Sequence, residues 1–200
     1  MLPVETLIMM RHAESVFNER GVLNGDATRP GGLTARGRKQ AARAADQLAR
    51  TAIELCVTTN FERSIETADI VLARRDVPRL VVEQLNDPRA GDFELRPYAD
   101  LDEWQKTNGP EAPLPGTGLT LRESLEDVHQ GIASVAARPE ATVLLVIHGL
   151  AIAWLLKSVG HAVLPDQAVP VFIDGADVAA MIDATALDVL RFWPDVCDDG

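Results

Sequence analysis

Apolar residues along this chain fall into short runs, separated by helix-length stretches in which they recur every three or four positions. Val4–Met10, Glu54–Thr59, Arg79–Val82 and Ala141–Ile147 read as strands. Each is short and apolar through its middle rather than alternating, as expected of strands covered on both faces. Residues 33–50 form a helix candidate, with Thr34 as N-cap and Ala41, Ala45, Leu48 and Ala49 as small or apolar positions. Further helices are predicted over 63–73, 121–137 and 151–159. In 121–137, Leu121, Leu125, Val128, Ile132 and Val135 keep a spacing close to 3.6 and mark one core-facing stripe. Val169–Ile173 and Val178–Ile182 flank Asp174-Gly175-Ala176-Asp177, which predicts two paired strands joined by a turn. The alternation of runs and helices is that of a layered α/β domain on a mainly parallel sheet.

One stretch breaks the alternation. Residues 86–118 contain Pro88, Pro97, Pro110, Pro113 and Pro115 together with Gly91, Gly109, Gly116 and Gly118, too many for one long helix. They read as an excursion over the sheet edge, of a length that usually carries function. No repeat, low-complexity tract or linker divides the chain, so residues 1–200 are expected to form one domain.

Composition narrows the partners. The chain has 46% hydrophobic and 24% charged residues, ordinary for a globular protein. Its net charge of −11 argues against nucleic acid or an anionic membrane as partner. Residues 1–100 carry 14 basic and 15 acidic side chains, and residues 101–200 carry 5 and 15. An anion site is therefore expected to draw its cations from the first half. Cys56 and Cys197 lack the spacing of a metal knuckle or a disulfide framework. With neither a signal-like N-terminus nor an apolar stretch near the roughly 18 residues of a span, a cytoplasmic, unprocessed protein is expected.

The chemistry gathers where strands end. The first predicted strand gives way to Arg11-His12-Ala13-Glu14-Ser15, the second leads to Arg63, and the fourth ends at His148-Gly149. Taken singly, each has an ordinary explanation: a charged turn, a solvated helix residue, a strand-to-helix corner. Parallel strands, however, would bring all of them to one sheet edge, where ligands bind in open α/β folds. Arginines beside histidines there suit phosphate. His129 and His161 read as surface and loop residues without a role, and no tight His/Cys/Asp spacing completes a zinc site.

Together these segments resemble the histidine phosphatase superfamily, the phosphoglycerate mutase-like group whose opening motif is R-H-G-[ET]. Arg11-His12-Ala13-Glu14-Ser15 with Asn18 looks like that motif. Leu33-Thr34 through Gly37, Gln40 and Ala41 is similar to L-T-x-x-G-x-x-Q-A. Thr58-Thr59-Asn60-Phe61-Glu62-Arg63-Ser64 to Thr67-Ala68 is similar to S-S-x-x-x-R-A-x-x-T-A. Glu123-Ser124-Leu125 and Val146-Ile147-His148-Gly149 resemble two later motifs. The resemblance spans about residues 5–160 in order. It implies a three-layer α/β/α sandwich and a phosphomonoesterase acting on a small phosphorylated metabolite.

In the mechanism so implied, His12 is the nucleophile that forms a phosphohistidine. Arg11 and Arg63 clamp phosphoryl oxygens, with His148 donating to them and Asn18 as an extra donor. Neither a metal nor another cofactor is needed. The general acid is left between carboxylates: Leu85-Asn86-Asp87 with Gly91 and Glu94 fits the family spacing L-x-E-x-x-x-G-x-x-E with Asp87 in the acid position, Glu83 is the alternative, and Glu94 comes third. Three departures bear on the substrate: Ala13 for Gly, Ala153 where relatives have Arg, and Leu95 where Gly is common. A cofactor-dependent mutase and a catalytically weak phosphate-binding relative remain alternative readings. A homodimer is an open assembly.

Overall fold

A computed structural model describes residues 3–161 and 166–184. Cys197 lies outside them. The strands are β1 (Thr6–Arg11), β2 (Leu55–Thr58), β3 (Arg79–Val81), β4 (Thr142–Ile147) and β5 (Pro170–Asp174). They form one sheet in the order β3-β2-β4-β1-β5. The first four are mutually parallel and β5 is antiparallel to β1. The helices are α1 (Val16–Glu19), α2 (Ala35–Gln47), α3 (Glu62–Val71), α4 (Tyr98–Asn108), α5 (Leu121–Ala136), α6 (Gly149–Ser158) and α7 (Gly175–Asp183).

Alternate residues of the central strands feed two separate cores. Leu7, Met9, Val143 and Leu145 face α5, α6 and α7, through Leu125, Ile132, Trp154 and Met181. Ile8, Met10, Leu144 and Val146 face α2 and α3, through Ala41, Ala44, Ala68 and Val71. The expected three-layer α/β/α sandwich is therefore the observed one. β1 and β4 are covered on both faces, which is why they read as continuous apolar runs.

Thr34 caps α2 as expected, its hydroxyl accepting from Gly37 N at 2.9 Å. Gly37 is required there, because a Cβ would stand 2.1 Å from the Glu14 carbonyl oxygen. That close approach locks α2 against the loop that follows β1.

One expectation fails. Val178–Ile182 is not a strand but part of α7, and only β5 pairs with β1. Asp174, read as a turn residue, is the N-cap of α7 and accepts from Ala176 N and Asp177 N at 2.9 Å each. Val178 and Met181, three apart, are the buried helical stripe that the strand reading overlooked. The 86–118 excursion, in turn, holds a 3₁₀ turn at Gly91–Phe93 and the whole of α4. Pro97 precedes α4 and Gly109, at φ 78°, ends it. None of its residues is fully buried, so it carries no core stripe for a periodicity argument to find.

Candidate active site

The register of the parallel strands assembles the site. Arg11 lies opposite Ile147, and His12 N donates to the Ile147 carbonyl at 2.9 Å. On the other side of β4, Thr58 lies opposite Val146. The residues one step beyond these strands, His12, Thr59 and His148, stand together and are all buried. Arg63 joins them from the first turn of α3. That helix is tied to the same edge, because Ser64 Oγ donates to the Val146 carbonyl and Ala13 N donates to Thr67 Oγ1 at 3.0 Å.

Arg63 is the hub. Its Nε donates to His12 Nε2 at 3.0 Å, Nη1 to Asn24 Oδ1 at 2.6 Å, and Nη2 to Asp87 Oδ2 at 2.7 Å. His148 Nδ1 sits 3.0 Å from the same Asp87 oxygen. Phe61 backs the group, with the guanidinium 4.1 Å above its ring and His148 packed edge-on at 4.7 Å.

These contacts fix the ring tautomers. His12 Nδ1 lies 2.8 Å from the Ala13 carbonyl, which can only accept, so Nδ1 carries the hydrogen and Nε2 presents its lone pair. Burial, then the nearby Arg63 and His148, hold the His12 imidazole well below the ordinary histidine value. His148 is lowered too: burial outweighs the opposing pull of Asp87, and Arg63 and Arg11 add smaller shifts in the same direction as burial. A neutral His148 donates Nδ1–H towards Asp87 and accepts from Thr59 Oγ1 at Nε2, 2.9 Å away. Burial pushes the Asp87 carboxyl up, but the His148 hydrogen bond and the fixed charge of Arg63 overcome it, so Asp87 stays ionised.

The sign of the pH dependence follows. His12 is harder to protonate folded than unfolded, so unfolding takes up a proton below the unfolded value of about 6.5. Its contribution to stability is whole above that pH and lost as pH falls below it. Asp87 acts in the same sense lower down, its contribution being present above about pH 4 and lost as the carboxyl protonates. The melting temperature should fall as pH is lowered from 7.5 to 5. A flat profile, or no smaller slope in His12→Gln, would contradict these assignments.

Arg11 completes the cation set at the end of β1. Among the described residues nothing accepts from its buried Nε. Gly149 is needed beside it, because a Cβ there would lie 2.9 Å from that nitrogen. Asn18 stands at the margin: its Oδ1 closes the α1 capping box with Ser15, and its Nδ2 donates to Tyr98 Oη at 3.2 Å. Of the candidate acids only Asp87 reaches the group. Glu83 is exposed in the 3₁₀ turn Glu83–Leu85, and Glu94 accepts from Gly25 N at 2.8 Å as a loop brace.

Sequence reasoning missed Asn24. It is buried and holds Arg63 through both its side chain and its carbonyl. The only signal was the turn-like Asn24-Gly25-Asp26. A backbone pair fixes this loop: Leu23 N donates to Arg96 O at 2.9 Å and Leu95 N to Leu23 O at 3.0 Å. Leu95 takes φ 64° to make the pair, which explains why glycine suits that place. Ala13 meets no such demand and is packed in the core. Asn24→Ala is expected to lower kcat/KM about tenfold by loosening Arg63, with stability falling by about 1 kcal/mol. Unchanged kinetics would remove Asn24 from the account.

His12, Asp87 and His148 could also be viewed as metal ligands, their nearest donor atoms lying within 4.8 Å of one another. Arg63 already donates to two of these residues, and its fixed positive charge would oppose a dication there. The set suits an anion better. A cavity of about 670 Å³ opens from it, walled by α4, by the 109–121 segment and by α6.

The profile of the histidine phosphatase superfamily, branch 1, matches residues 7–169. The chain belongs to that superfamily. Among curated relatives, the adenosylcobalamin/α-ribazole phosphatase of Escherichia coli is 36% identical over 48% of this chain and 46% of its own. The chain thus aligns with about half the length of that relative. The probable phosphoglycerate mutase GpmB of Escherichia fergusonii is 27% identical over 76% of this chain and 73% of its own. Among solved structures, the α-ribazole phosphatase of Shigella flexneri is similar with a TM-score of 0.74 at 26% identity, over 84% of this chain and 90% of that one. Among the described residues, no helix is long and apolar enough to cross a membrane.

Proposed function

We propose that this histidine phosphatase is a metal-independent phosphomonoesterase, hydrolysing a small phosphorylated substrate through a phosphohistidine on His12. The observation that carries the reading is the place of Asp87. Its Oδ2 receives both Arg63 Nη2 and His148 Nδ1, two donors that a bound phosphoryl oxygen would use. In the free enzyme the carboxylate stands in for that oxygen.

Substrate then displaces Asp87. Arg11, Arg63 and His148 take the phosphoryl oxygens, with Asn18 at the rim. Freed from its cationic partners and set beside a dianion, the carboxyl rises in pKa and takes up a proton. As Arg63 turns its donors from His12 Nε2 and Asp87 to the phosphoryl oxygens, the released Nε2 lone pair forms the N–P bond while the P–O bond breaks, and the Asp87 proton goes to the leaving oxygen. The Ala13 carbonyl, accepting from Nδ1–H, steadies the charge that develops on the ring. Water then attacks phosphorus, Asp87 takes its proton, and His12 is released.

Asp87→Asn is expected to lower kcat on an alkyl phosphate about 10²- to 10³-fold, and to do little on 4-nitrophenyl phosphate, whose leaving group needs no proton. The same variant should bind inorganic phosphate more tightly, having lost the competing anion. Glu83→Gln should match the parent. The reverse pattern would make Glu83 the acid, and a chelator that stops turnover would end the metal-free reading.

Hydrolysis is preferred to mutase transfer because Tyr98, Leu119 and Leu150 around the cavity are each more than a third exposed. Water therefore reaches the place where a phosphoenzyme waits. Equilibration of 2- and 3-phosphoglycerate on priming with the bisphosphate would favour the mutase. Phosphate binding without any turnover would favour a binding relative.

A further inference from the structure

The cavity is much larger than a phosphate group requires. Its 670 Å³ lies within the roughly 300–1,000 Å³ typical of sites for whole small molecules. Away from the arginines and histidines its wall changes character. Leu101 and Trp104 come from α4, Leu119 from the segment leading into α5, Leu121 from the first turn of α5, and Leu150 and Ala153 from α6. Leu150, Ala153 and Lys157 follow at helical spacing, so this face of α6 runs about 12 Å outward from Gly149 beside Arg11.

Leu121 also packs against the core beneath α5, but Leu101, Trp104, Leu119 and Leu150 belong to neither core cluster. α4 buries none of its residues fully, yet its Leu101 and Trp104 reach the cavity. Leu119 and Leu150 are 40% and 37% exposed, and Tyr98, at the mouth beside Asn18, is 41% exposed. Isolated exposed apolar residues are ordinary, but several converging on one concavity mark a binding surface. Continuity with the phosphate clamp identifies the occupant as the rest of the substrate.

Resting on the phosphatase reading, we infer that the preferred substrates are phosphomonoesters of apolar or aromatic alcohols, the body of the alcohol lying against Leu101, Trp104, Leu119 and Leu150. A polyhydroxylated sugar phosphate is selected against, because its hydroxyls would lose water against leucine and tryptophan without replacement partners. Asp102, Gln105, Ser124, Lys157 and His161 also line the cavity and leave places for polar groups beyond the apolar patch. Ala153, small where an arginine would fill the cavity and add charge, keeps the stretch of wall beside Leu150 apolar.

The test is a homologous series in which the leaving group's acidity barely changes: ethyl, propyl, butyl and hexyl phosphate, with glycerol 3-phosphate as the polar counterpart of propyl phosphate. The same series of alkylphosphonates, which cannot be hydrolysed, is measured by calorimetry. Each added methylene is expected to raise kcat/KM and phosphonate affinity about two- to fourfold, as burial of one methylene allows. Glycerol 3-phosphate should fall below propyl phosphate. Leu119→Ser, at an exposed position that the fold tolerates, should flatten both slopes. Flat slopes in the parent, or glycerol 3-phosphate ahead of propyl phosphate, would overturn the inference and leave the phosphatase reading standing. Steep phosphonate binding with no hydrolysis of any ester would sustain the apolar site and overturn the phosphatase reading instead.

Discussion

Replacing His12 by alanine is expected to lower kcat by roughly 10⁵-fold, the scale on which removal of a covalent nucleophile is felt. The reason lies in one atom. His12 Nε2 is the ring nitrogen left without a hydrogen by the Nδ1–H contact to Ala13; its lone pair accepts from Arg63 Nε in the free enzyme, and burial keeps it unprotonated through the physiological range. Alanine leaves the clamp in place, so inorganic phosphate should still bind. A variant that binds phosphate but neither turns over nor forms a phosphoenzyme separates the nucleophile from the binding site. Retained turnover would mean that water attacks directly and that His12 serves only to bind.

The second large effect is expected at Arg63. Arg63→Lys should cost about 10³-fold in kcat/KM, because a lysine keeps one charge but cannot direct three nitrogens to His12, Asn24 and Asp87 at once. Arg63→Ala should cost about tenfold more and reduce stability by about 2 kcal/mol, since it strands the buried Asn24 amide oxygen and leaves Asp87 beside the two histidines alone. Phosphate at a hundred times its dissociation constant should stabilise the parent by about 2.7 kcal/mol. It should stabilise neither Arg63 variant appreciably at the same concentration. Protection of Arg63→Ala equal to that of the parent would place the phosphate elsewhere, with Arg11 as its principal partner.

The sequence carried most of this site because parallel strands turn distant positions into neighbours. Arg11, His12 and His148 each follow a run that could only be a buried strand, and a common strand direction was enough to place them on one edge. Arg63 was legible for a related reason: the helix after β2 begins at that edge. Asp87 was harder, since its spacing had to be read through a loop with no periodicity. What distinguishes it from Glu83 is a direction in space: Asp87 turns towards Arg63, while Glu83 sits exposed in its 3₁₀ turn.

Other features were invisible for physical reasons. Asn24 acts through a loop pinned by a single backbone pair to Leu95 and Arg96, a contact between segments about seventy residues apart. No local pattern announces such a pairing. α4 escaped notice because its apolar side chains face a cavity rather than a core, so they lack the broad stripe by which surface helices are recognised. α7 was misread because Asp and Gly begin helices as readily as they make turns, and the short apolar run after them fitted either element.

The central claim is that phosphorus passes through His12. Rapid quenching of the parent enzyme with a labelled phosphomonoester, followed by peptide mapping, tests it most directly. The expected result is a phosphoryl group on His12, stable in alkali, lost in acid, formed as fast as the alcohol is released, and missing from His12→Ala. A label on another residue, or none at all while the alcohol is released at full rate, would contradict it.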